Sequence, residues 1–296
     1  MSSKYDRRKS TLPSPQYDVS EHELGIDDSY INAPTDPTWL EKFPDWLRNV
    51  KTNLDTIGFE QTVLDLPEVK GSAIVVDHQM TGSLEKALTL LKNYKGTLFA
   101  CDRALYKLIP YRVPEYVANL DSSYLCMSFF DRPDVREVMD KVTAIFATTT
   151  FTLTIRHWHG KRVFFTPWIG SVLTDSISAA TKTPTMQTGG NVATFLWILA
   201  VALKANPIAL VGIDNSVYEK RQTEYPGVPH KKAHGPYGTA YIDPVYEHYA
   251  NWHLAAIRTA KNELAINTIN CTEGGVMYSE DVLDMPLLDF IEKYGS

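Results

Sequence analysis

Two aspartates, Asp102 and Asp121, each follow a short β-rich run, residues 97–101 (TLFAC) and 117–120 (VANL). Carboxylates at adjacent ends of parallel strands can share a Mg²⁺, which takes one or two carboxylates and fills its shell with substrate phosphates. Each aspartate taken singly would serve as well to cap a following turn or helix. Other strand ends carry similar chemistry. Residues 72–76 (SAIVV) run through Asp77, His78 and Gln79 to Gly82 and Ser83, where a helix start could offer backbone N–H groups to an anion. The plainer reading makes Ser83 an N-cap with Glu85 nearby. Thr188-Gly189-Gly190-Asn191 leads directly into an apolar helix, with glycines that let a ligand approach the backbone, or a tight turn with a Thr or Asn cap. Asp214, in Gly212-Ile213-Asp214-Asn215, and Glu273, in Thr272-Glu273-Gly274-Gly275, place further acids on the same rim. Together these motifs are harder to explain as capping than any one of them.

The histidines add less. His157 and His159 lie two apart and would share a face only if extended, where they could chelate a metal; a surface hairpin with Arg156, Lys161 and Arg162 fits equally well. His248 and His253, five apart on a helix, do not share a face. No G-x-S-x-G, H-E-x-x-H, G-x-G-x-x-G or P-loop pattern occurs, which removes the common hydrolase, metalloprotease and dinucleotide signatures. Cys101, Cys126 and Cys271 are widely spaced and odd in number, as expected of reduced thiols in a core and not of a disulfide framework. A long irregular stretch, residues 218–241, gathers Arg221, Lys231 and Lys232 among glycines and prolines; it could close over phosphates as a lid, and a solvated, disordered insertion fits equally well.

The elements that must hold these residues follow from the hydrophobic pattern. The chain has 296 residues, 44% hydrophobic and 22% charged, enough to build a core. Its net charge of −6 argues against a general nucleic-acid binder. The longest apolar run, residues 192–203, falls short of the ~20 residues that span a bilayer, and the start lacks an apolar signal region, so a cytoplasmic protein is expected. Residues 1–36 read as a flexible arm. Residues 37–70 form a helical prelude, with Trp39, Phe43, Trp46, Leu47, Val50 and Leu54 at helical spacing and Pro44 interrupting it. From residue 71 to 296, buried strands alternate with amphipathic helices: strands at 72–76, 97–101, 117–120, 144–148, 207–213 and 264–271, and a buried helix over 192–203. That pattern predicts an α/β, Rossmann-like layered fold with a mainly parallel sheet, whose ligands sit at the carboxyl ends of the strands.

The order of these pieces resembles a family. SAIVV followed by GSL, then CDRAL, VPEYVANLDSS, TGGNVAT, LVGIDNSVY and INCTEGGV are similar to the 6-hydroxymethylpterin diphosphokinase MptE-like proteins, relatives of the motility-accessory-factor and sialyltransferase-like proteins. The resemblance implies a Mg²⁺-dependent transfer of diphosphate from ATP to the hydroxymethyl group of a dihydropterin, with Asp102 and Asp121 handling the metal and phosphates. Asn119, Ser122, Gly82, Ser83, Gly189, Gly190 and Asn191 would line the nucleotide or substrate, with Asp214, Thr272 and Glu273 near it and Lys231 and Lys232 closing over it. Partners would be the nucleotide and a small acceptor, with no nucleic acid or membrane; a homo-oligomer is compatible. Two departures stand out: relatives carry G-x-G-P-S-L where this chain has Asp77-His78-Gln79-Met80-Thr81-Gly82-Ser83-Leu84, and Asp-Gly where it has Asp102-Arg103. A sialyltransferase-like glycosyltransferase using a nucleotide-activated sugar, with His78 or His157 as acid or base, and a non-catalytic family member are the alternatives.

Overall fold

The computed structural model of the chain describes residues 37–79, 83–169, 171–217 and 231–295. The expected arm (1–36), Gly82 and Arg221 lie outside those residues. In chain order the elements are α1 (Pro37–Thr56), β1 (Ala73–Val76), α2 (Ser83–Leu91), β2 (Thr97–Cys101), α3 (Asp102–Leu108), β3 (Tyr116–Asn119) and β4 (Thr143–Ala147). Then come α4 (Thr152–His157), β5 (Arg162–Pro167), α5 (Ser171–Thr181), β6 (Thr185–Met186), α6 (Val192–Ala202), β7 (Ile208–Val211), β8 (Lys231–Gly235) and β9 (Gly238–Ile242). The last are α7 (Pro244–Leu264), β10 (Thr268–Asn270), β11 (Val282–Asp284) and α8 (Leu287–Tyr294), with short helical turns over 124–141.

The chain divides into two compact units, one of residues up to Pro67 with Glu115–Thr188, the other of Glu68–Pro114 with the residues from Gly189 onward. In the second unit five strands run in the order β11-β10-β7-β1-β2, each parallel to its neighbour. The sequences AIVV, TLFAC and IALV explain this: strands apolar at every position suit a sheet covered on both faces. Ile74, Val76, Leu98, Ala100, Ala209 and Val211 join Leu84, Leu88 and Leu91 of α2 and Leu287 and Phe290 of α8 in one buried cluster. The apolar helix α6 packs against β1, β2 and β7. This is the layered, parallel α/β architecture expected.

In the first unit β3, β4, β5 and β6 follow one another, all parallel. Here α1 fills the carboxyl side of β3 and β4. The Asn49 amide donates to the Ser122 and Thr149 carbonyls at 3.1 and 3.0 Å, and the Asn53 amide to those of Thr148 and Thr150, both at 2.9 Å. These four carbonyls would otherwise be buried without partners, at a cost of about 1–3 kcal/mol each.

Several expectations are corrected. Helix α1 runs through Pro44 without a break; the hydrogen bonds of Asn49 and Asn53, one to three turns further on, hold the rest of the helix in place. The stretch expected to be irregular up to residue 241 is an antiparallel hairpin over its last part, β8–β9. His157 closes α4 and His159 follows it, so the two do not share an extended face, and the expected surface hairpin is instead α4 followed by the buried strand β5. The final strand is shorter than expected, because α7 persists to Leu264 and a left-handed Ala265 turns the chain. Strands β5, β6 and β11 were not expected at all.

Candidate functional site

In the second unit the carboxyl ends of five parallel strands bring together residues distant in sequence. Strand β1 ends at Asp77, whose Oδ1 accepts from the His78 N–H at 2.7 Å and whose Oδ2 accepts from the Gln79 amide at 2.9 Å. Strand β2 ends at Cys101, whose thiol hydrogen-bonds the Asp77 carboxylate, and Asp102 opens α3 beside it. Burial raises the Asp77 carboxyl above its usual value, partly offset by the bonds from Gln79 and His78 and by the charge of Arg103. Burial, then the fields of Asp77 and Asp102, push the Cys101 thiol well up, so it is a neutral donor and not a nucleophile. Both carboxylates therefore act on one thiol from adjacent strand ends.

Strand β7 leads to Asp214, which is fully buried. Its Oδ2 accepts from the Ser83 hydroxyl at 2.7 Å, tying the start of α2 to the end of β7. Gln79 closes the remaining gap, donating from Nε2 to Asn215 Oδ1 at 3.4 Å and accepting from the Asn215 N–H. Gly275 explains why the loop after β10 can lie against this point: a Cβ there would stand 2.4 Å from the Asp214 carbonyl oxygen, and its φ of +76° suits glycine alone. Thr272 Oγ1 accepts from the Ile213 N–H at 3.2 Å, and Glu273 is exposed, with Oε1 accepting from the Leu287 N–H at 3.3 Å. On the outer side of α2, Glu85 pairs with His78 at 3.2 Å and with Lys107.

The remaining candidates are held by contacts of their own. Asn191 caps α6, its Oδ1 accepting from the Thr194 N–H at 2.8 Å, and Gly190 fits beneath Tyr249 of α7. Lys231 and Lys232 are exposed on β8, and Lys231 pairs with Glu247 of α7 at 2.5 Å. Asn119, Asp121 and Ser122 belong to the first unit, so Asp102 and Asp121 sit in different units. Asn119 ends β3 and is fully buried, with its carbonyl accepting from the Thr150 hydroxyl at 2.9 Å. Asp121 is exposed and closes a turn, Oδ1 accepting from the Ser123 N–H at 2.8 Å. Ser122 is buried.

The sequence reading names Asp77, Gln79 and Asn215 within their strand-end runs but gives them no role in the site. The signal for Asp77 was present, since it follows β1 as Asp102 follows β2. The others depend on a contact across 136 residues that no local pattern announces. Among the described residues no group of three or more His, Cys, Asp or Glu side chains is placed to hold a metal. The donors at β1 and β2 are hard carboxylate oxygens in a pair, which suits a Mg²⁺ that draws its other ligands from phosphates and water.

Comparison with known proteins agrees with this architecture. The sequence model of the family described as 6-hydroxymethylpterin diphosphokinase MptE-like matches residues 46–220. No curated protein matches the chain. Among solved structures, the MAf glycosyltransferase from Magnetospirillum magneticum AMB-1 is similar in fold, with a TM-score of 0.62 at 13% identity over 82% of this chain. The chain spans only 38% of that enzyme's length. The family match covers the strand ends that carry Asp77, Asp102, Asp121 and Asp214, and with it the chain belongs to the 6-hydroxymethylpterin diphosphokinase MptE-like family.

Proposed function

We propose that the protein is a transferase acting on a nucleotide, and specifically that it moves a diphosphate from ATP to the hydroxymethyl group of a 6-hydroxymethyl-7,8-dihydropterin-like acceptor. The observation that carries this reading is the pair of carboxylates, Asp77 and Asp102, on adjacent strand ends around the Cys101 thiol. Phosphates brought beside such a pair would be repelled unless a divalent cation lay between, and the family match adds the substrate class. Asp77 and Asp102 would hold Mg²⁺, which when bound neutralises phosphate charge. Ser83 and the start of α2 would face the phosphates, with Asp214 orienting the Ser83 hydroxyl. Glu273 would stand near the acceptor, and Lys231 and Lys232 would meet phosphate charge from the hairpin. Asp121 enters on its motif alone, and the cytoplasm is the proposed compartment; no described helix is long and apolar enough to cross a membrane.

In the reaction the acceptor's hydroxyl oxygen forms a bond to the β-phosphorus of ATP, the bond from that phosphorus to the bridging oxygen of the α-phosphate breaks, and AMP leaves. The hydroxyl proton goes to a carboxylate; Glu273, exposed and set near the acceptor in this reading, is the base assigned to it. ³¹P NMR of the protein with ATP, Mg²⁺ and 6-hydroxymethyl-7,8-dihydropterin tests this. AMP and a pterin diphosphate should appear together and be lost in Asp102→Asn. ATP left intact would refute it. The likeness to a glycosyltransferase fold supports a second reading, transfer from a nucleotide-activated sugar. Release of the nucleotide from such a sugar without Mg²⁺ would favour that reading.

A further inference from the structure

The β8–β9 hairpin is tied down at both ends. At its base Tyr241 pairs antiparallel with Val217, through N–H···O bonds of 2.8 and 2.6 Å, just beyond Asp214. At its tip the Tyr237 hydroxyl donates to Asp284 Oδ1, at the end of β11, at 3.3 Å. Because the strands run β7, β10, β11 in that order, a hairpin joined to the chain leaving β7 and touching the end of β11 must cross the end of β10. The Tyr237 phenol records that position: burial first, then Asp284, Glu273 and Cys271, push it up to about 12. The tip contact is part of a chain of bonds. Asp284 Oδ1 also accepts from the Asn270 amide at 2.9 Å, and Asn270 Oδ1 accepts from the Thr272 N–H at 3.1 Å. The inner face of the hairpin is anchored by Ala240 and Ile242, both buried, whereas the tip residues 236–239 are exposed. A segment held at its tip by one exposed hydrogen bond opens at small cost.

We propose that this hairpin is a movable wall over the β10 end of the strand-end site, and that Tyr237 is a positioning residue that latches it to Asp284 around the acceptor. The identity of the acceptor rests on the diphosphotransfer reading above; the latch does not. Tyr237→Phe keeps the ring and removes the hydroxyl. Amide hydrogen exchange of the free protein should accelerate about tenfold across residues 231–242, with β1 and β2 unchanged. Asp284→Ala should accelerate exchange there at least as much, and the double variant should exchange no faster than Asp284→Ala alone, because both remove the Tyr237–Asp284 contact. In turnover, Tyr237→Phe should raise KM for the dihydropterin about tenfold while kcat stays within about twofold. Unchanged exchange in the hairpin overturns the latch, whatever the activity. Faster exchange with an unmoved acceptor KM overturns the positioning role. A wild-type protein that leaves ATP intact with this acceptor overturns the acceptor assignment together with the functional reading, and the latch is then judged on exchange alone.

Discussion

His253 should make this protein lose stability as the pH falls below 6.5, and by an amount the structure fixes. The side chain lies on α7, fully buried, with its ring edge-on to Trp197 of α6 at 5.1 Å between centroids. Neither ring nitrogen has a hydrogen-bond partner among the described residues. Burial alone drives its pKa down from 6.5 to about 3. A depressed folded-state pKa means that the unfolded chain takes up a proton below pH 6.5 while the folded protein refuses it. The contribution is therefore intact above pH 6.5 and is lost progressively as pH falls toward 3. At 1.36 kcal/mol per pH unit, moving from pH 6.5 to pH 5 costs about 2 kcal/mol, and the full loss, reached below pH 3, is about 5 kcal/mol. Urea unfolding of wild type and His253→Phe, followed at pH 7, 6 and 5, isolates this group. Other titrations, including the opposite contribution of Asp77, are common to both proteins and cancel in the difference. Phe fills the same space and cannot be protonated, so the wild type should lose about 2 kcal/mol more than the variant between pH 7 and pH 5. Parallel pH dependences would refute the reasoning.

Other outcomes follow from particular contacts. Gly190→Ala places a Cβ 2.1 Å from the Tyr249 ring at a φ of +89°, so it should cost roughly 2–4 kcal/mol in urea unfolding, with Tyr249→Ala in the same background restoring part of it. Asn53→Ala strips the Thr148 and Thr150 carbonyls and the Thr152 hydroxyl of their partner, and should lower stability by about 2–3 kcal/mol in thermal melts. Asp102→Asn and Asp214→Asn should each reduce kcat about 100-fold while far-UV circular dichroism stays unchanged. Asp121→Ala removes only an exposed turn contact, so it should leave the melting temperature within a few degrees; full activity in that variant would remove Asp121 from the mechanism.

The sequence alone carried the fold class and most of the parallel strands. Runs such as AIVV, TLFAC and IALV have only one economical use, a strand covered on both faces, and α6 is too long and too apolar to be anything but a buried helix. The same patterning located Asp102, Asp121, Asp214 and Glu273 at strand ends, because a residue just past a buried run must emerge at the carboxyl edge. It also failed in understandable places. Pro44 suggests a break because local propensity counts the lost hydrogen bond and not the loop carbonyls that tie Asn49 and Asn53 of the helix down. The β8–β9 hairpin was missed because Gly, Pro and Lys weaken the period-2 signal while pairing across the hairpin sustains it. What only the tertiary structure decided is which strand ends are neighbours. Strand order places β1 between β2 and β7, and this brings Asp77 to Cys101 and Gln79 to Asn215. Partnerships made across 24 and 136 residues are set by the packing of the whole sheet, since no local propensity depends on what lies so far along the chain.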